Sequence, residues 1–393
     1  MEIFLVLGFS NPFPGSAWTR VGFFADNWSK RGHSIGVLGT FGYTTLQKRG
    51  TVKFGRVYTF NIVPHLDLTY PLLFIMNSTV SFIISTFFFL TKKPNITLVS
   101  VPPGDVGLGA LAACQLLRVK YLIDYRDQWE DYMISHAKHK MESLFCSIVR
   151  RFATVLYTKS QLLVSVTPNL VEGLKHRGVT NIAFMPNGVD VKTFKPLSNK
   201  KENQDFRILY IGSVGGYYRL DVAVKSVKKL VDKGFGNVKL VIAGCGEVQA
   251  TLDLALELGI PNNVEYKGVL SDNARLAQLI AGADVGLIPY DDDPLWKNCL
   301  PAKFFEYCGC GVPVIATVYE DSILANLIEE NDIGLTVSPM DEDKLAEAIA
   351  TIYKNASFKE AAGKRARSLI EEKFDRNKIA EEFLNLIETV VRH

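Results

Sequence analysis

Short apolar runs alternate along this chain with longer segments whose apolar residues recur at helical spacing. IFLVLG (3–8) reads as a strand, and FSNPFPGSA (9–17) as a loop carrying two prolines and a glycine. The amphipathic run TRVGFFADNWSKRGH (19–33) follows, with Gly32 where a glycine closes a helix in the left-handed conformation. SIGVLGT, RVYTFNIV, NITLVSVPP, VKYLIDY and LLVSVT read as further strands, with VGLGALAACQLL a helix among them. A polar, charged stretch poor in aliphatic residues, KTFKPLSNKKENQD (192–205), then interrupts the pattern. The alternation restarts with FRILYIG and a helix bearing Leu220, Val224, Val227 and Val231 on one face. VKLVIAG, VEYKG, DVGLIPY, PVIA and GLTVS are its later strands, and Arg376–Val391 is a closing helix. Strands alternating with helices predict parallel sheets covered on both faces. Two such units predict two Rossmann-like α/β domains, 1–191 and 206–375, facing across a cleft. Residues 192–205 are then the linker, and 376–393 a C-terminal helix packing back toward the first domain. Ligands of such sheets bind at the carboxyl ends of the strands.

One segment complicates this soluble pattern. Tyr70–Leu90, YPLLFIMNSTVSFIISTFFFL, carries no charge and is long enough to span a bilayer. Ser78, Ser81 and Ser85 form a polar stripe along it, which fits a buried or membrane-facing helix at least as well as a span. MEIFLVLGF begins with an acid and reads as a first strand rather than a leader. Charge is uneven. Through Asp190 there are 19 Lys+Arg against 11 Asp+Glu, a balance of +8; the remainder has 25 against 30, a balance of −5. A basic first half suits an anionic partner such as a membrane surface or a phosphorylated ligand; drift in surface charge is the plainer alternative. The stretch HAKHKMESLFCSIVRRF, as a helix, suits an anionic membrane surface or a plain amphipathic packing equally. The six cysteines are scattered, which points to a reducing compartment and not to a disulfide framework.

Candidate chemistry gathers in the second half. Gly212–Gly216, GSVGG, lies between a strand and a helix, where glycines let backbone N–H groups approach a phosphate. A tight turn explains it as well. Arg219 stands at the helix start, the end that disfavours a cation unless an anion is bound. GCGEVQA (244–250) begins like a dinucleotide fingerprint, but Gln249 occupies the third glycine position. In LPAKFFEYCGCGVPVIAT (300–317), Lys303 and Glu306 share a helix face after the strand DVGLIPY. A lysine there can meet a diphosphate as a point charge, and a glutamate can accept from both ribose hydroxyls. A surface ion pair is the plain alternative, and it leaves the adjoining Gly309 and Gly311 unexplained. Asp291–Asp293 reads as a solvated acidic loop rather than a metal clamp, and Cys308 and Cys310 as packed thiols.

Here a resemblance enters. PAKFFEYCGCGVPVIA is similar to the P-x-K-x-x-E-Y…G-x-P-V-I-A signature of the retaining glycosyltransferases of the GT-B fold, family 4 (glycosyltransferase group 1). MPNGVDVKTF, ILYIGSVGG and GCGEVQATL resemble other pieces of that family in the same order. VPPGDVGLGALAA…YLIDYRDQWED resembles a subgroup that builds lipid-linked or surface glycans and has a hydrophobic helix where Tyr70–Leu90 lies. The resemblance implies a two-domain enzyme that moves a hexosyl or N-acetylhexosaminyl group from a nucleotide diphosphate sugar, UDP-linked by expectation, to a polyisoprenoid-linked or glycan acceptor. It implies donor contacts from Gly15, Gly215, Gly216, Arg219, Gly246, Glu247, Lys303 and Glu306, with Glu306 on the ribose and Lys303 on the diphosphate. Asp127 stands where many members carry a histidine beside the reacting sugar. Asp127 and Lys303 are the expected catalytic residues, with no metal or other cofactor and no nucleic-acid partner. The expected place is the cytoplasm, peripheral to the membrane through the N-terminal domain.

Two positions depart from the family. Asn298 stands where the first of a glutamate pair is usual, and Tyr218 where a lysine often follows the glycine turn, with Arg219 beside it. Two rival readings remain at this point. A dinucleotide-dependent oxidoreductase shares the Rossmann-like halves, and a non-catalytic nucleotide-sugar-binding partner is kept open by Asn298.

Overall fold

The computed structural model describes residues 1–13, 15–42, 49–66, 71–198 and 204–392. Tyr70 and residues 199–203 of the expected linker lie outside the described residues, as does His393. The chain forms two compact units, Met1–Pro186 with Asn377–His393, and Asn187–Arg376.

The first unit holds strands β1 (Glu2–Leu7), β2 (Ser34–Gly42), β3 (Gly50–Phe54), β4 (Val57–His65), β5 (Ile96–Val101), β6 (Tyr121–Tyr125), β7 (Leu162–Ser165) and β8 (Ile182–Phe184). Its helices are α1 (Ser16–Lys30), α2 (Pro71–Lys92), α3 (Gly104–Leu117), α4 (Trp129–Ser135), α5 (Lys140–Thr158) and α6 (Pro168–His176). The strands lie in the order β3-β4-β2-β1-β5-β6-β7-β8. All neighbours are parallel except the β3–β4 hairpin. Every residue of β5 and β6 is buried, as expected for central strands covered on both faces. The last helix, α14 (Arg376–Arg392), supplies Phe383, whose ring meets Trp28 edge-on at 5.5 Å, while Trp28 Nε1 donates to the Ala380 carbonyl at 2.8 Å.

The helix expected at Tyr70–Leu90 is α2. Its polar stripe faces inward: Asn77, Ser81 and Ser85 are buried, and the Ser81 hydroxyl donates to the Val106 carbonyl of α3 at 2.8 Å. Small residues allow this contact. A Cβ on Gly109 would lie 2.3 Å from the Ser78 carbonyl oxygen. Several large apolar side chains point outward, with Leu72 75% and Phe87 66% exposed, while Phe88 and Phe89 near the helix end are buried.

The second unit holds β9 (Phe206–Val214), β10 (Val238–Gly246), β11 (Val264–Tyr266), β12 (Val285–Pro289), β13 (Val314–Thr317) and β14 (Gly334–Val337). Its helices are α7 (Leu220–Asp232), α8 (Val248–Glu257), α9 (Asn273–Ala281), α10 (Ala302–Gly309), α11 (Ile323–Glu330), α12 (Glu342–Lys354) and α13 (Ala356–Lys373). The sheet is parallel, in the order β11-β10-β9-β12-β13-β14. Leu220, Val224 and Val227 of α7 are buried against it. Residues 187–198 belong to this unit. Val189 and Phe194 lie in its core, and Arg367 donates to the carbonyls of Val191 (3.1 Å) and Phe194 (2.6 Å). One aromatic side chain thus anchors a stretch whose overall composition reads as linker.

Candidate functional site

In the second unit the site is built on the carboxyl ends of β9, β10 and β12. Strands β9 and β10 stay paired through their glycines, with Gly212 opposite Gly244 and Val214 opposite Gly246. A Cβ on Gly246 would lie 2.2 Å from the Val214 carbonyl oxygen, so backbone approach alone demands glycine there. The turn proper is Gly215–Gly216, with φ of +93° and +61°. Gly215 lies against Glu247, whose carboxyl carbon would be 2.7 Å from a Cβ at that position. Chain contacts therefore bring Gly215, Gly246 and Glu247 together, while Gly216 has open space beside it.

Helix α10 carries the two central side chains. Tyr307 fixes it to the sheet: its hydroxyl accepts the Ile211 amide hydrogen at 3.0 Å, and its ring fills the space left by Gly286. One turn earlier Lys303 is 6% exposed. Its ammonium sits 3.3 Å from the Tyr218 ring centroid and 4.3 Å from that of Tyr210, and donates to the Tyr210 hydroxyl at 3.3 Å. No carboxylate forms an ion pair with Lys303 among the described residues. Burial pushes its pKa well down, against the opposing pull of Glu306. Glu306 is half-buried. Burial raises its carboxyl, offset by the charges of Arg376 and Lys303. Arg376 also holds the segment MPNGVD, donating to the carbonyls of Gly188 at 2.6 Å and Asn187 at 3.3 Å.

Arg219 is committed elsewhere. Its guanidinium makes two bonds to the Asp221 carboxylate, at 2.8 and 2.7 Å, and a third to Met340 Sδ at 3.2 Å. Asp291 and Asp293 cap a short turn: Asp291 accepts from Trp296 Nε1 and from the Asp293 amide, and Asp293 from the Leu295 amide. The same turn ends at Asn298. Cys308 and Cys310 are buried, and burial raises the Cys310 thiol to about 12. The sequence reading missed the aromatic wall of Tyr210, Tyr218 and Tyr290, in which Tyr218 stacks on Tyr290 at 5.2 Å. Its only local sign was the tyrosine pair directly after Gly216.

In the first unit Gly15 and Asp127 occupy loops at the carboxyl ends of β1 and β6, which flank β5 in the sheet. Gly15 is exposed and extended, ahead of α1. Asp127 is half-buried and accepts from the Gln128 amide at 2.8 Å. Burial raises its carboxyl, against the pull of that hydrogen bond and of Arg126. Arg126 is itself held in place, donating to Ser100 Oγ at 2.8 Å and to the Pro102 carbonyl, and burial lowers it to about 10. Beneath them Arg20 and Asp124 form a buried ion pair at 3.0 Å.

Residues 191–369 match the family model of glycosyl transferases group 1. That match covers the second unit almost entirely, and over this stretch the chain is similar to group 1 glycosyl transferases. The whole chain has the GT-B fold. It superposes on sucrose-phosphate synthase from Thermosynechococcus elongatus with a TM-score of 0.77 at 16% identity, over 99% of this chain and 98% of that one. Anabaena HepE, solved in complex with UDP-glucose, gives 0.73 at 14% identity over 99% and 100%. Among curated proteins, the GDP-mannose-dependent alpha-(1-6)-phosphatidylinositol dimannoside mannosyltransferase of Mycobacterium tuberculosis is 30% identical over 182 residues, 44% of each chain. The chain spans about half the length of the curated relatives it matches.

Proposed function

We propose that this chain is a retaining glycosyltransferase that moves a sugar from a nucleotide diphosphate sugar, UDP-linked, to a lipid-linked or surface-glycan acceptor. The observation that carries this reading is Lys303: a buried ammonium without a carboxylate partner among the described residues, beside a glycine turn at the carboxyl edge of a parallel sheet. Such a charge calls for an anion, and a diphosphate supplies one. Glu306, one turn along, takes the ribose hydroxyls. In the transfer, the bond from the anomeric carbon to the diphosphate breaks. The acceptor oxygen bonds to the same face, and its proton passes to the departing diphosphate. Lys303 stabilises the charge that grows on that diphosphate; for Asp127 of the first unit, the family resemblance alone supports a role toward the reacting sugar. UDP is the nucleotide bound by the fold neighbour HepE, whereas the mannosyltransferase relative uses GDP-mannose; a lipid acceptor is supported by the phosphatidylinositol-based substrate of that relative. Gly244 and Gly246 give no support to a nicotinamide dinucleotide, because strand packing already demands them.

The acceptor side is membrane-bound in this reading. The outward residues of α2 are joined by a second stripe on α5, Met141, Leu144, Ile148, Phe152 and Val155, all exposed. The two helices touch through Phe74 and Phe145, whose rings are 5.9 Å apart. Exposed Lys92, Lys93, Lys138, Lys140, Arg151 and Lys159 flank the stripes, which suits an anionic lipid surface. The six cysteines are free thiols, in keeping with the cytoplasmic face.

Thermal unfolding in the presence of UDP, GDP, dTDP, ADP, NAD and NADP tests the donor reading. A ligand that binds only the folded state raises the midpoint. Stabilisation by one nucleoside diphosphate is expected. Stabilisation by a nicotinamide dinucleotide alone would overturn the reading.

A further inference from the structure

Lys303 poses a physical problem that a diphosphate solves only once it is bound. Before that, a buried ammonium must be held charged and aimed without water around it. A carboxylate neighbour would do so, but it would cancel the charge and compete with the incoming anion. The structure uses rings instead. The ammonium lies over the face of Tyr218 and near the face and hydroxyl of Tyr210. An aromatic face attracts a cation through its quadrupole and leaves the net charge intact.

Tyr218 is itself fixed. Its backbone bridges to Gly215 and to Tyr290, its ring stacks on Tyr290, and Tyr217 beside it packs on Trp296 at 4.4 Å. Gly212 lies beside the lysine, where a Cβ would make an ordinary 3.6 Å contact with its ammonium. The ionisable neighbours are Glu306 on the same helix, the phenols of Tyr210 and Tyr218, and Tyr307, whose hydroxyl already accepts from Ile211.

We propose that Tyr218 is the positioning residue of the donor site: its ring, with that of Tyr210, holds Lys303 charged and aimed at the diphosphate. The proposal rests on the glycosyltransferase reading of this site. It also accounts for a tyrosine where the family often has a lysine. A lysine there adds a second cation, whereas a ring supports the buried ammonium without adding charge. The downward pull of burial on Lys303 fits, since an ammonium in this place needs such support to keep its proton.

The test is calorimetric titration with whichever of UDP, GDP, dTDP and ADP binds the wild-type chain most tightly. Phenylalanine and its mono-, di- and pentafluoro analogues are placed at position 218. They keep the ring's shape and progressively remove its negative face. Tyr218→Phe is expected to bind within about twofold of wild type, and the fluorinated rings progressively more weakly, to a loss of roughly tenfold. Tyr218→Leu should match the weakest of them. In a Lys303→Met background the fluorine dependence should vanish. A flat series, or one in which binding tightens because the ring had been obstructing the ammonium, overturns the proposal and leaves the glycosyltransferase reading standing. Failure of the wild-type chain to bind any of the four diphosphates overturns both.

Discussion

The amide of Ile211 in β9 donates to the hydroxyl of Tyr307 in α10 at 3.0 Å. The β9–β12 ladder ends at Leu209 opposite Gly286, so beyond it β9 has a backbone donor with no strand to meet. Tyr307 supplies the acceptor and thereby sets the height of α10 over the sheet. Lys303 and Glu306 ride on that helix. The tyrosine in the sequence K-F-F-E-Y is thus a structural part of the site.

Tyr307→Phe should therefore cost stability as well as activity. The Ile211 N–H is left buried without its partner, a loss of about 1–3 kcal/mol. Urea unfolding should show a lower midpoint with an unchanged slope. Donor affinity should fall too, because α10 loses its anchor. An unchanged midpoint would mean that water replaces the hydroxyl without loss.

Lys303 and Glu306 should separate kinetically. In the proposed role, Lys303 meets charge that grows as the diphosphate leaves, so Lys303→Met should lower kcat, by about a hundredfold to a thousandfold. In the proposed role, Glu306 would bind ribose hydroxyls equally well in the ground and transition states. Glu306→Gln should therefore act mainly on the donor KM, raising it about tenfold or more. Steady-state kinetics with varied donor would show the split. The same effect from both substitutions would reject the separate roles.

Asp127 should trade stability for function. Burial raises its folded-state carboxyl above the ordinary value, so the protonated form is the one that folding favours. The sign follows: stability is fullest below the unfolded carboxylate pKa of about 4 and is lost as pH rises through the folded value. Asp127→Asn removes that loss. At pH 7 the variant should melt higher than wild type, and the gap should close as pH falls below about 4. Transfer activity should nonetheless drop. A variant that is both less stable and less active at pH 7 would show Asp127 to be a structural carboxylate.

Much of this was legible in the sequence, for a physical reason. The central strands are continuous apolar runs such as ITLVSV, and the helices carry a 3.6-residue apolar period, as in α7. Contacts set by tertiary packing were not legible. Gly212–Val214 and Gly244–Gly246 read as turns yet continue β9 and β10, because glycine permits two backbones to approach. Tyr210, Tyr218 and Tyr290 are separated by up to 80 positions, and only the fold stacks Tyr290 on Tyr218 and sets Tyr210 and Tyr218 against Lys303. The serine stripe of α2 was visible, but not the helix it faces: it lies against α3, at Val106 and Gly109.

That reversed helix leads to the last prediction. In a water-facing helix the large apolar residues turn inward, whereas α2, apart from Phe88 and Phe89, buries Asn77, Ser81 and Ser85 and exposes Leu72, Ile75, Ile83 and Phe87. Helix α5 adds Ile148 and Phe152 to the same exposed apolar surface, with basic residues around it. Wild-type chain should co-sediment with vesicles of phosphatidylcholine and phosphatidylglycerol, and less so with phosphatidylcholine alone. Ile148→Glu with Phe152→Glu should abolish sedimentation while leaving the unfolding midpoint unchanged, since both side chains are exposed. Raising the salt should weaken the binding only in part, because screening removes the basic contribution and leaves the apolar one. Transfer to a water-soluble acceptor should survive the double substitution, and transfer to an acceptor held in vesicles should fall. Equal loss with both acceptors would place these residues in the catalytic machinery instead of on a lipid-facing surface.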